Sequence, residues 1–216
     1  MKAQTRVQTT FRTRIKVCGI TRVADALAAA DAGADAIGLV FYAASPRAVS
    51  LAQAQEIVQH LPAFVSVVGL FVNPEPSAVA AVLEQVPLDL LQFHGDEPAA
   101  FCEQFGRPYL KALRVKPETD LPAMIQQYGS ARGILLDAWH EGLFGGTGRT
   151  FDWDLLKPLK GHTRIILAGG LAPANVAQAC RTARPWAVDV SSGVETAPGQ
   201  KSAELIAHFA REVANV

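Results

Sequence analysis

Eight short apolar runs, each ending at a glycine or polar residue and each followed by a stretch of helical composition, recur along the chain from Arg14 onward. The runs are 14–18, 36–41, 64–72, 88–93, 109–114, 133–137, 164–168 and 187–190, and the helical stretches follow at 22–30, 50–60, 77–84, 97–104, 121–128, 153–159, from Pro173, and 202–213. Near-continuous apolar strands alternating with helices imply a parallel sheet buried on both faces. No linker rich in Gly, Pro or Ser divides the series. A doubly wound open sheet needs a G-x-G-x-x-G turn after an early strand, and Cys18-Gly19-Ile20-Thr21 is not one. A count of eight, with polar residues at the carboxyl ends of the strands, favours a closed barrel. The expected fold is therefore a single-domain α/β protein, a (β/α)8 TIM barrel over 14–216, behind a polar, basic, acid-free extension at 1–13 that is expected to be flexible. Thr21 is expected to cap the first helix and Ser50, with Gln53, the second. The one long loop, 138–150, is glycine-rich and is expected to lie over the site.

The chain has 216 residues, half of them apolar, which is enough for one substantial core. Twenty basic and twenty acidic residues cancel, so neither a nucleic-acid track nor long-range attraction to a membrane is indicated. An anionic ligand must then be met by local groups. Three widely spaced cysteines fit neither a disulfide framework nor a zinc motif, and they point to a reducing cytoplasm. No apolar run approaches the ~20 residues of a membrane span.

Ligands of such barrels bind at the carboxyl ends of the strands. Cys18 ends the first strand and Asp137 the sixth; a thiol facing a carboxyl group across a pocket suits proton movement between neighbouring carbons. Each also has an ordinary use, Cys18 as a small buried hydrophobe and Asp137 as a turn residue. Leu167-Ala168-Gly169-Gly170-Leu171 follows the seventh strand, and Asp189-Val190-Ser191-Ser192-Gly193-Val194-Glu195 continues the eighth. Those two positions hold phosphate in many barrels, which makes Gly169, Gly170, Ser191, Ser192 and Gly193 candidate phosphate ligands. Arg47, after the second strand, has the fork that grips a carboxylate, or it is a solvated arginine. His94, after the fourth, is either a donor to substrate or a turn histidine. Cys102 and Cys180 fall within helices and read as core.

Taken together these stretches resemble the phosphoribosylanthranilate isomerase family. The resemblance is carried by Lys16-Val17-Cys18-Gly19-Ile20-Thr21, Phe41 with Ser45-Pro46-Arg47, Leu91-Gln92-Phe93-His94-Gly95, Leu136-Asp137, Gly145-Gly146-Thr147-Gly148 with Phe151-Asp152-Trp153, and the two loops above. It spans residues 15 to 201. It implies an Amadori rearrangement in tryptophan synthesis, converting N-(5-phosphoribosyl)anthranilate to 1-(2-carboxyphenylamino)-1-deoxyribulose 5-phosphate without metal or cofactor. Cys18 would be the general base and Asp137 the general acid. Arg47 would meet the anthranilate carboxylate, with His94 and Asp189 as further substrate contacts. The expected partner is this small molecule alone, with no nucleic acid and no membrane. The rivals are another phosphosugar-binding barrel enzyme of histidine or tryptophan synthesis and a catalytically silent phosphosugar sensor. The base role further leads to the expectation that the Cys18 thiol titrates below its ordinary value.

Overall fold

The computed structural model describes residues 12–116, 119–138, 153, 156, 159 and 164–216. Strands β1 (Arg14–Cys18), β2 (Ala36–Val40), β3 (Ser66–Phe71), β4 (Leu90–Phe93), β5 (Tyr109–Val115), β6 (Gly133–Ala138), β7 (Ile165–Leu167) and β8 (Ala187–Val190) form one closed barrel in sequence order. All are parallel, and β8 closes the ring on β1 with Lys16 beside Asp189. The helices are α1 (Val23–Asp31), α2 (Leu51–His60), α3 (Pro76–Gln85), α4 (Ala99–Glu103), α5 (Leu121–Gln127), α6 (Val176–Ala183) and α7 (Ala203–Ala214). None of these is long and apolar enough to cross a membrane. Residues 1–11 of the expected extension, the loop after Ala138 and most of the expected helix over 153–159 lie outside the described residues.

Alternation along the strands sorts side chains into two layers. One parity, including Val17, Ile37, Leu39, Val67, Leu91, Phe93, Leu136 and Val188, packs outward against the helices in the main core. The other faces the barrel axis. There Val68, Leu110, Ala112, Leu135, Ile166 and Ala187 fill the lower lumen with side chains of mixed size. Higher on the same parity the lining changes, with Cys18, Val40, Leu70 and Val72 forming a small cluster against Tyr42. Continuing that parity on β4, β6 and β8 leads to His94, Asp137 and Asp189, all buried. The strands thus carry an apolar plug below and a polar ring above.

Differences from the sequence expectation are local and have causes. The Ser50–Gln53 capping box of α2 is present, but Thr21 caps nothing: α1 begins after Arg22 without a side-chain cap, and the Thr21 hydroxyl donates to the Gly199 carbonyl. Helix α6 starts at Val176, because the Asn175 side chain accepts from Ala172 N–H and donates to the Gly170 carbonyl, winding Pro173 into a turn. Helix α4 is shorter than expected because Glu97 is spent on the preceding loop, accepting from Gly95 N–H, Asn73 N–H and Lys111. After β8 a three-residue 3-10 turn, Ser192–Val194, leads into a hairpin of β9 (Glu195–Ala197) and β10 (Gln200–Lys201) that the sequence did not announce.

Candidate active site

The polar ring opens into a cavity at the carboxyl ends of the strands. Its lining includes Cys18, Arg47, His94, Asp137, Gly169, Gly170, Asp189, Ser191 and Ser192, with Val40, Tyr42, Leu70, Val72, Ala168 and Leu171 as the apolar part. A mainly apolar wall with a few convergent polar groups is the lining of a small-molecule site. Every residue nominated from the sequence lines it except Gly193. A Cβ on Gly193 would lie 1.9 Å from the Leu171 carbonyl oxygen, so this glycine lets the loops after β7 and β8 touch. Its place is behind the cup rather than at its surface.

Cys18 reaches the cavity because β1 ends there and because its neighbour on β2 has no side chain. A Cβ on Gly38 would stand 2.7 Å from the Cys18 sulfur and 3.2 Å from Lys16 Cε. Below the thiol, Lys16 Nζ donates to Asp189 Oδ1 at 2.8 Å, with both side chains buried. Burial alone would lower the Lys16 pKa, but Asp189 and Cys18 outweigh it and hold the ammonium charged. Burial pushes the Cys18 thiol up; Lys16 pulls it down, yet the thiol ends above its ordinary 9.0. The expectation of a depressed thiol is therefore corrected. Desolvation on the barrel axis outweighs a lysine already committed to Asp189.

Asp137 faces the same space from β6. Its Oδ2 lies 3.2 Å from His94 Nε2, and Gln92 Nε2 donates to His94 Nδ1 at 3.0 Å. That donation leaves His94 with its proton on Nε2, aimed at Asp137. Strand β4 is fixed on its outer side by Phe93, whose ring meets those of Phe101, Phe105 and Tyr109 at 5.7, 5.8 and 6.1 Å. Such ring pairs contribute ~0.5 to 1.5 kcal/mol each beyond their burial, so the residue next to the histidine is firmly anchored.

The loop after β7 turns through Gly169 (φ 82°) and Gly170 (φ 62°), conformations that suit glycine. With Ser191 and Ser192 it forms one end of the cavity. Behind it, Lys201 Nζ donates to the Ser191 carbonyl at 3.2 Å and the Ser191 hydroxyl at 3.3 Å. Arg47 stands beside this end, its Nε and Nη2 each 2.8 Å from a Glu195 oxygen. Sequence reasoning missed Lys16, Gln92, Glu195 and Lys201 as site residues. The first two carried a signal, since each lies two positions before a nominated residue on the same strand and so shares its face. Lys201 carried none, because a two-residue strand leaves no periodicity to see.

Comparison with known proteins agrees with this geometry. The family model for N-(5'-phosphoribosyl)anthranilate (PRA) isomerase matches residues 15–212. The N-(5'-phosphoribosyl)anthranilate isomerase of Pseudomonas putida is 58% identical over 200 residues, 93% of this chain and 97% of that one. Among solved structures, phosphoribosyl anthranilate isomerase from Thermotoga maritima superposes with a TM-score of 0.87 at 40% identity, covering 94% of this chain and all of that one. A phosphoribosyl anthranilate isomerase in complex with reduced 1-(o-carboxyphenylamino)-1-deoxyribulose 5-phosphate gives a TM-score of 0.84 at 40% identity, over 94% of this chain and 100% of that one. A barrel of this order, a thiol and a carboxyl across one cavity and a match over nearly the whole length leave one conclusion: the chain belongs to the N-(5'-phosphoribosyl)anthranilate isomerase family.

Proposed function

We propose that this chain isomerises N-(5-phosphoribosyl)anthranilate to 1-(2-carboxyphenylamino)-1-deoxyribulose 5-phosphate in tryptophan synthesis, with Cys18 as general base and Asp137 as general acid. The observation that carries the assignment of roles is that a thiol and a carboxyl line one cavity together with a glycine and serine cup. The 5-phosphate enters that cup, between Gly169, Gly170, Ser191 and Ser192. Lys201 beneath Ser191 supplies positive charge there. Gly193 supports the cup by letting its two loops meet. The anthranilate carboxylate meets the edge of Arg47 that Glu195 leaves open.

Asp137 donates a proton to the ribose ring oxygen; the C1–O bond breaks and the nitrogen lone pair forms the C1=N iminium ion. His94 Nε2–H occupies Asp137 Oδ2, leaving Oδ1 for the transferred proton. Cys18 then removes the C2 proton, and the electrons of that C–H bond form the C1=C2 bond as the iminium nitrogen regains its pair. The enolamine loses its hydroxyl proton and gains one at C1, giving the ketone and restoring both side chains. Cys18 titrates above the ordinary thiol value, so the thiolate must be favoured during turnover. The iminium cation formed against it supplies that stabilisation at the step that uses it. The three cysteines are free, which suits a reducing cytoplasm.

The test is to supply the phosphoribosyl anthranilate adduct and follow its disappearance optically. Saturable conversion, inhibited competitively by inorganic phosphate, is expected. Binding of phosphate without conversion would make the chain a sensor and overturn the assignment.

A further inference from the structure

The mechanism uses Arg47, and Lys201 as charge beneath the cup, but it gives no role to Glu195, which lies between them. Glu195 and Lys201 have side-chain exposures of 5% and 0%, against 14% for Arg47. All the acceptor capacity of Glu195 facing this network is taken: Oε2 accepts from Arg47 Nη2 at 2.8 Å, and Oε1 from Arg47 Nε at 2.8 Å, Lys201 Nζ at 2.7 Å and Gly199 N–H at 3.2 Å. The hairpin that carries both residues is itself clipped to α1. Arg22 Nη2 donates to the Lys201 carbonyl at 3.2 Å, and Lys201 N–H donates to Asp25 Oδ2 at 3.1 Å. Two cations around one carboxylate leave a net charge of +1, and the only member of the three that lines the cavity is Arg47.

Resting on the reading of Arg47 as the carboxylate ligand, we propose that Glu195 and Lys201 are positioning residues: Glu195 aims Arg47, and Lys201 ties Glu195 to Ser191, fixing the distance between the carboxylate and phosphate subsites. A guanidinium gripped on its Nε–Nη2 edge cannot rotate, so its other edge is presented in one orientation. A long free arginine would have to be ordered by each substrate molecule, at a cost in affinity. Because Lys201 also donates to the carbonyl and hydroxyl of Ser191, the same carboxylate anchors both ends of the site. The arrangement selects ligands by length, with one anion at each end of the cavity, and so deepens specificity without touching the reacting atoms.

The experiment compares Arg47→Ala, Glu195→Gln, Glu195→Asp and Lys201→Met by kcat/KM for phosphoribosyl anthranilate, kcat/KM for phosphoribosyl aniline, which lacks the carboxylate, and inhibition by inorganic phosphate. Arg47→Ala should lower the preference for the carboxylated substrate by roughly tenfold or more, the loss of a charge-assisted pair. Glu195→Gln should lower the same preference to a similar degree. Glu195→Asp keeps the charge between the two cations, so it should fold even if the glutamine variant does not, yet its shorter arm should draw Arg47 aside and reduce the preference too. Lys201→Met should weaken phosphate inhibition as well. If Arg47→Ala removes the preference while both Glu195 variants that fold keep it, lowering only Tm, the positioning role is wrong and the Arg47 assignment stands. If Arg47→Ala leaves the preference intact, the Arg47 assignment fails and takes this proposal with it.

Discussion

Replacing Gly38 by alanine adds one methyl group at the point where the Cys18 thiol, the proposed base, depends on empty space. The new Cβ would stand 2.7 Å from the Cys18 sulfur, 3.1 Å from its Cα and 3.2 Å from Lys16 Cε, where ordinary contact begins at 3.4 Å. The sulfur must therefore retreat by roughly 0.7 Å or more, since repulsion rises steeply inside contact distance. It can do so only by turning away from the axis, because Lys16 below is held by Asp189 at 2.8 Å. A displacement of ~1 Å at a reacting group costs up to about a hundredfold in rate, and kcat should fall by roughly ten- to a hundredfold. Overpacking also costs ~1 to 3 kcal/mol of stability, a drop in Tm of roughly 2 to 12 °C for a chain of this size. The assay is steady-state turnover of the adduct beside inhibition by inorganic phosphate and a thermal melt. Phosphate inhibition should be nearly unchanged, since the three atoms nearest the new Cβ belong to Cys18 and Lys16 and none to the cup. A variant with lowered Tm and wild-type kcat would show that the thiol's position does not matter, and would refute the reasoning.

Iodoacetamide should modify Cys18 before Cys102 or Cys180, because Cys18 lines the cavity while the other two are buried in helices of the core. Its rate should still be climbing beyond pH 9, as a thiol raised above its ordinary 9.0 requires, and a plateau already reached at neutral pH would contradict the desolvation argument. Gly193→Ala, whose Cβ would sit 1.9 Å from the Leu171 carbonyl, should force the cup's two loops apart and weaken phosphate inhibition while leaving the alkylation rate of Cys18 unchanged. Burial alone would raise the Glu195 pKa, but Arg47 and Lys201 bring it below the ordinary 4.5. Its contribution to stability is thus complete above about pH 4.5 and lost as pH falls through the lowered value. Melts of the wild type should weaken over that acid window, and those of Glu195→Gln should show less of the change.

The barrel was legible because each of its strands buries both faces, so its apolar run survives in the sequence as a continuous signal with a glycine or polar residue at the end. The meeting of Cys18, Asp137, Gly169, Gly170, Ser191 and Ser192 in one cavity was legible for the same reason, since each stands where a strand stops. Electrostatic environment was not. Lys16 looks like any strand lysine until β8 closes on β1 and sets it beside Asp189, 173 positions away in sequence. The direction of the Cys18 shift is set first by burial on the barrel axis and then by these two charges, none of which the proposed base role reveals, so that expectation had the wrong sign. Thr21 has the identity of a cap, but the Gly199 carbonyl, brought over by the hairpin, claims its hydroxyl. Glu195 and Lys201 act through contacts across the chain that neither spacing nor periodicity records.

In the proposed reaction Cys18 and Asp137 move the protons while the rest of the cavity binds. The most direct measurement is kcat for Cys18→Ala and Asp137→Asn beside the affinity of each for reduced 1-(o-carboxyphenylamino)-1-deoxyribulose 5-phosphate, the ligand bound in a related isomerase. Removing a general acid or base typically lowers the rate by ~10² to 10⁴, and both variants should show a loss of that order in kcat with affinity within a few-fold of wild type. Turnover by either variant within a few-fold of wild type would contradict the account.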